Sequence, residues 1–253
     1  MIDLKINGKM LDNISLIIFD KDGTLFELYP FWSEVAKIRS QLIYSKMNVN
    51  DPSMIDLLVH TMGIDTLNQK ISPKGPIGIL HRKDIQDILY REILSKGYAI
   101  NRADIELSFK EADEHFKTDT QLKEHLIPVK GMLDFIKSLN NKCKCALFSN
   151  DMTGRLEKIT ELFEIHKNFD LFVGGDVTQN PKPHPEGAIK IMKILNADPN
   201  NTIFIGDSLA DIECGMNAKC KYLVAVKSDI SDINSLNKHN CEIVDDFTQI
   251  QSC

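Results

Sequence analysis

Five short apolar runs constrain this chain more than any other feature, four of them stopped by a polar residue or glycine. Leu16-Ile17-Ile18-Phe19 stops at Asp20, Cys145-Ala146-Leu147-Phe148 at Ser149, Leu171-Phe172-Val173 at Gly174-Gly175, and Ile203-Phe204-Ile205 at Gly206-Asp207. Tyr222-Leu223-Val224-Ala225-Val226 is the fifth. Continuous rather than alternating apolar character suits strands buried on both faces of a parallel sheet. Between these runs, residues 130–140, 153–167, 185–196 and 208–218 space their apolar side chains three and four apart, as helices do. Alternating strand and helix predicts a doubly wound α/β fold.

The stretch between Leu25 and Leu126 follows another rule. Helical spacing recurs over 31–47, 53–62, 83–96 and 102–122 with no strand expected, and the Pro/Gly-rich Ile71–Gly78 reads as a loop. This predicts an all-helical insertion, 26–126, in a core built from 1–25 and 127–253. Residues 1–13 read as a hairpin turning at Asn7-Gly8, decorating the sheet edge.

Composition narrows the function classes. The 253 residues, 43% hydrophobic and 26% charged, suffice for a large core without staples. Thirty Lys+Arg against thirty-six Asp+Glu give a net charge of −6, which argues against a nucleic acid or an anionic membrane as partner. No apolar run approaches a spanning helix and the first residues lack a signal-peptide core, so a cytoplasmic location is expected. The six cysteines show no CxxC pair and read as reduced thiols. His60, His81, His115, His125, His166 and His239 follow no ligand spacing, and His184 reads as loop filler.

In open parallel sheets, functional groups gather where strands end. The first end gives Asp20-Lys21-Asp22-Gly23-Thr24, two carboxylates suited to nucleophile and proton donor, or else an ordinary turn. The second gives Ser149-Asn150, a cradle for phosphate oxygens or a plain N-cap for a helix near Thr153. Lys182 stands between Pro181 and Pro183, a cation on a stiff loop or merely a solvated one. The fourth gives Asp207 and Asp211 on one face of a helical turn, hard oxygen donors for Mg²⁺ or a cap. Each plain reading stands alone, but their conjunction at successive strand ends supplies every part of a phosphoryl-transfer site.

Asp20-Lys21-Asp22-Gly23-Thr24-Leu25, Ser149-Asn150, Lys182-Pro183-His184-Pro185 and Gly206-Asp207-Ser208-Leu209-Ala210-Asp211 resemble the four ordered motifs of the haloacid dehalogenase superfamily. The resemblance spans nearly the whole chain and is nearest to phosphoglycolate-phosphatase-like proteins. It implies a Rossmann-like core with a helical cap domain inserted after the first motif. It also implies a Mg²⁺-dependent phosphatase of a small phosphorylated metabolite. Asp20 would be the nucleophile carrying an aspartyl-phosphate, and Asp22 the group that protonates the leaving oxygen and then activates water. Ser149, Asn150 and Lys182 would hold the phosphoryl group. Asp20, the Asp22 main-chain carbonyl and Asp207 would bind Mg²⁺, with Asp211 steadying the groups behind them or Lys182.

The cap would exclude water and set specificity, with Lys74 in its Pro/Gly loop a candidate contact, or only a solvent-exposed connector lysine. Trp32 and Phe31 would line the entrance or pack the cap core. Asp22 separates the chain from true dehalogenases, which lack that second acid. The β-phosphoglucomutase branch usually carries an acid just before the metal aspartate, where this chain has Gly206. The rivals are such a mutase, a non-catalytic phospho-acceptor like signalling receiver domains, and a degenerate binding protein.

Overall fold

Asn7 and Gly8 both adopt positive φ, 51° and 83°, the turn whose twist matches its flanking strands. Ile2–Ile6 (β1) and Lys9–Ile14 (β2) therefore close as an antiparallel hairpin. Ile2, Leu4 and Ile6 are buried. The hairpin does not extend the main sheet: β1 also pairs with Ile250–Ser252 (β11), making a separate three-stranded sheet that joins the two ends of the chain. The computed structural model describes residues 1–80 and 82–253. His81 lies outside them.

The five apolar runs become Leu16–Phe19 (β3), Lys144–Phe148 (β6), Leu171–Val173 (β7), Thr202–Gly206 (β8) and Tyr222–Val226 (β9). With Glu242–Val244 (β10) they form a parallel sheet in the order β10-β9-β8-β3-β6-β7. Successive residues of β3 serve opposite faces. Leu16 and Ile18 join a core with Phe148, Phe204 and residues of Glu186–Ile194 (α8) and Leu209–Asn217 (α9). On the other face Phe19 meets Phe135 of Met132–Ser138 (α6), Phe169 and Phe247, with ring centroids 6.3, 6.0 and 6.5 Å away. Both faces are thus covered, and Thr153–Leu162 (α7) follows β6.

The described residues divide into two units, Met1–Glu27 with Pro128–Cys253 and Leu28–Ile127. The sequence places the division one or two residues earlier on each side. Phe26 bridges to both Asp22 and Pro128, and Val129 N donates to Leu25 O at 2.9 Å. These bonds hold the departing and returning segments to the first unit.

The inserted unit is Leu28–Lys46 (α1), Ser53–Thr61 (α2), Arg82–Ser95 (α3), Arg102–His115 (α4) and Asp119–His125 (α5). Two expectations are corrected. The helix expected over 102–122 breaks after His115, and α5 restarts with Thr118 Oγ1 accepting from Gln121 N at 3.4 Å. The unit is also not wholly helical: Ile64–Asp65 (β4) pairs with Lys70–Ile71 (β5). The Asp65 carboxylate accepts from Leu67 N and Asn68 N at 3.1 and 3.0 Å and closes that turn. Pairs this short leave no periodic signature. Phe31 is buried, with centroids 5.4 Å from Trp32 and 5.1 Å from Phe116, so it packs the interior of this unit. Lys74 is exposed.

Candidate active site

Asp20 leaves the end of β3 with its backbone N–H donated to Ile205 O of β8 at 2.8 Å, so its position is set by the sheet. The loop behind it closes tightly. Leu25 N and Phe26 N reach back to Lys21 O at 2.9 and 3.1 Å, and Gly23 N donates to Phe26 O at 2.7 Å. Gly23 has φ +80°, and a Cβ there would fall 2.1 Å from Asp207 Oδ2. Only glycine allows the first loop to approach Asp207, the acid at the end of β8, so closely.

Lys182 comes from the loop that follows β7. Glu186 at the start of α8 folds this loop back, its carboxylate accepting from Gln179 N and Asn180 N at 2.8 and 3.0 Å. The Lys182 ammonium donates to Asp20 Oδ1, to Asp211 Oδ1 at 2.6 Å and to Phe148 O at 3.3 Å. It is buried with both acids, so the reading of a solvated loop lysine is excluded.

Ser208, not Asp207, caps α9, and Asp211 returns the bond from the third helical position. Asp211 Oδ2 accepts from Ser208 Oγ and N at 2.6 and 3.1 Å. Both Asp211 oxygens are therefore engaged, one by the helix start and one by Lys182. Asp207 is left out of the cap. Its Oδ2 accepts from Ser228 Oγ at 2.5 Å and its carbonyl from Ser231 Oγ at 2.6 Å.

At the β6 end, the N-cap reading of Ser149 also fails. Thr153 N and Oγ1 donate to Asp176 at 2.8 Å each, and that acid from the loop after β7 does the capping. Buried Ser149 Oγ accepts instead from Asp151 N at 3.2 Å. The exposed Asn150 side chain takes no part in the bonds joining these acids and lysines among the described residues.

Lys21, for which the spacing of the motif predicts no role, is fully buried between carboxylates. Its ammonium lies 3.0 Å from Asp22 Oδ2 and 2.9 Å from Asp151 Oδ2, and Arg155 stands 3.8 Å from the same Asp151 oxygen. Ser228 and Ser231 were equally hidden, in a polar stretch with no motif.

The electrostatics separate two groups. Lys21 and Arg155 balance Asp22 and Asp151. In the other group Asp20, Asp207 and Asp211 place ligand oxygens within 4.8 Å of one another with only Lys182 among them. Three buried carboxylates and one ammonium leave two negative charges. Burial pushes Asp20 up to about 7, Lys182 offsetting part of this while Asp211 and Asp22 add to it. Burial, then Asp211 and Asp20, also raise Asp207 well above the carboxylate range. Burial acts the same way on Asp211, but its contact with Lys182 wins and holds it low. Burial alone would lower Lys182, yet Asp20 and Asp211 raise it. An all-oxygen donor set lacking two positive charges fits one hard divalent cation.

A model of the haloacid dehalogenase-like hydrolase family matches residues 14–219. A phosphoglycolate phosphatase of Aquifex aeolicus (strain VF5) is 36% identical over 83 residues, which are 33% of this chain and 39% of that protein. Pyrophosphatase PpaX of Listeria monocytogenes serotype 4a (strain HCC23) is 26% identical over 216 residues, 83% of this chain and 82% of that one. Among solved structures, a predicted phosphoglycolate phosphatase from Haemophilus somnus 129pt aligns with a TM-score of 0.69 at 19% identity. That alignment covers 94% of this chain and 96% of the other, a likeness of fold. No helix among the described residues is long and apolar enough to cross a membrane. With its parallel sheet, its acids and lysine gathered at the strand ends and this family match, the chain belongs to the haloacid dehalogenase-like hydrolases.

Proposed function

We propose that the protein is a Mg²⁺-dependent phosphatase of small phosphate monoesters, working through an aspartyl-phosphate on Asp20. The observation that carries this reading is the buried cluster itself: Asp20, Asp207 and Asp211 set three carboxylates around one lysine, a donor set suited to one divalent cation. The Asp20 and Asp207 carboxylates and the Asp22 main-chain carbonyl would hold Mg²⁺, because Asp211 is already bonded through both oxygens. When bound, the ion would supply the positive charge that lets a carboxylate approach a phosphoryl dianion.

Asp20 attacks phosphorus in line with the ester oxygen. The Asp20 O–P bond forms as the P–O bond to the leaving group breaks, and Asp22 gives its proton to the departing oxygen. Water then attacks phosphorus and returns a proton to Asp22, while the Asp20–phosphate bond breaks and inorganic phosphate leaves. Lys182, the Ser149 hydroxyl and the Asn150 backbone amide receive the equatorial oxygens. The bond from Asp151 N occupies an acceptor position of Ser149 Oγ and leaves its own hydrogen for the ligand.

Hydrolysis is favoured over a mutase. A Cβ on Gly206 would fall 2.2 Å from Asp211 Cβ, so no acidic side chain fits before Asp207 while Asp211 holds Lys182. The test is phosphate release from phosphoglycolate, sugar phosphates, nucleotides, an aryl phosphate and, given the PpaX likeness, pyrophosphate. Release with Mg²⁺ that is lost with chelator and with Asp20→Asn is the expected result. No release from any compound by metal-loaded protein overturns the reading.

A further inference from the structure

We infer that Lys21 is a positioning residue of this site: its ammonium ties down Asp22 Oδ2 so that Oδ1 is the oxygen that exchanges the proton with the leaving group. The inference rests on the phosphatase reading and deepens it. A lysine side chain with no exposure costs several kcal/mol to desolvate, and an apolar residue at position 21 would be buried more cheaply. The fold nevertheless spends this cation between Asp22, in the first loop, and Asp151, past the end of the neighbouring strand.

The anchorage is rigid at both ends. Position 21 is pinned through its carbonyl by Leu25 N and Phe26 N at 2.9 and 3.1 Å. Asp151 Oδ1 accepts from Met152 N at 2.8 Å while Oδ2 takes Lys21. Because Asp151 shares the ammonium, Lys21 acts as a strut between two loops. A carboxylate with one oxygen fixed in this way loses most of its rotational freedom before the substrate arrives, which is the geometric condition for efficient proton transfer. The cost of misplacing it depends on how much the departing oxygen needs a proton.

That dependence supplies the test. The step governing kcat/KM for aryl phosphates is transfer to Asp20 with loss of the aryl oxygen; phenoxide needs the proton from Asp22, and 2,4-dinitrophenoxide does not. Wild type, Lys21→Met and the double variant Lys21→Met/Asp151→Asn are compared on phenyl phosphate and 2,4-dinitrophenyl phosphate at saturating Mg²⁺. The double variant removes the Asp151 charge together with the ammonium, leaving Asp22 as the one acid deprived of Lys21, and keeps the comparison open if Lys21→Met does not fold. The expected result is a rise of about tenfold or more in the ratio of kcat/KM for the dinitrophenyl ester to that for the phenyl ester. A folded variant in which the ratio stays at the wild-type value, whatever the absolute rates, overturns the inference. Wild type inactive on both esters and on the metabolite panel overturns the phosphatase reading and the inference with it.

Discussion

Gly23 lies so close to Asp207 that a Cβ on the glycine would fall 2.1 Å from Oδ2 of the acid. The first and fourth motifs meet backbone against carboxylate, with no room for a side chain. Gly23→Ala must move that carboxylate and hold alanine at a φ of +80°, a strain of ~1–2 kcal/mol. Its melting temperature is expected to rise much less on adding Mg²⁺ than that of wild type. An unchanged Mg²⁺ response would separate Asp207 from the metal.

The pH dependence follows from the raised acids. Asp20, pushed up to about 7 from 3.8, binds its proton more tightly folded than unfolded. Its contribution to metal-free stability is fully present below pH 3.8 and is lost as pH rises through 7. Asp207 acts in the same direction. Asp211 and Asp151, held low, act oppositely and cost stability in acid. Chelated protein should therefore melt at a lower temperature at pH 8 than at pH 6, and Mg²⁺ should stabilise it more at pH 8, where it displaces fewer protons. Melts at both pH values with EDTA or Mg²⁺ check this; a Mg²⁺ shift larger at pH 6 contradicts it.

Removing Lys182 strands two buried carboxylates. Lys182→Met should lower unfolding free energy by ~3–5 kcal/mol in urea titrations of the metal-free protein, and Lys182→Met/Asp211→Asn should recover a measurable part of that loss. Equal stability of the two variants would mean that Asp211 does not depend on the ammonium.

Ser228 holds Asp207 Oδ2 at 2.5 Å from a loop beyond the fifth apolar run. Groups that orient a metal ligand are worth roughly tenfold or more in affinity. Ser228→Ala is expected to weaken Mg²⁺ by about tenfold in isothermal titration while keeping its turnover at saturating metal. Unaltered affinity would reduce Ser228 to a loop contact.

What could be read in the chain follows from what is local. A strand buried on both faces must be apolar throughout, and its end must be polar or glycine to carry a group, so Asp20, Ser149 and Asp207 declared themselves within their own ten residues. The turn at Asn7-Gly8 and the capping pair Ser208 and Asp211 are likewise set by neighbours in sequence. The strut from Lys21 to Asp151 spans 130 positions, and the bond from Ser228 to Asp207 spans 21. No periodicity or propensity marks either pair, because each group is an ordinary polar residue until the sheet brings two strand ends together. The same holds for β11, three residues whose partner β1 lies at the other end of the chain. Local pattern thus determined which residues stand at the strand ends; the tertiary structure decided which buried charges face one another, since desolvation and pairing depend on distances that only the packed sheet sets.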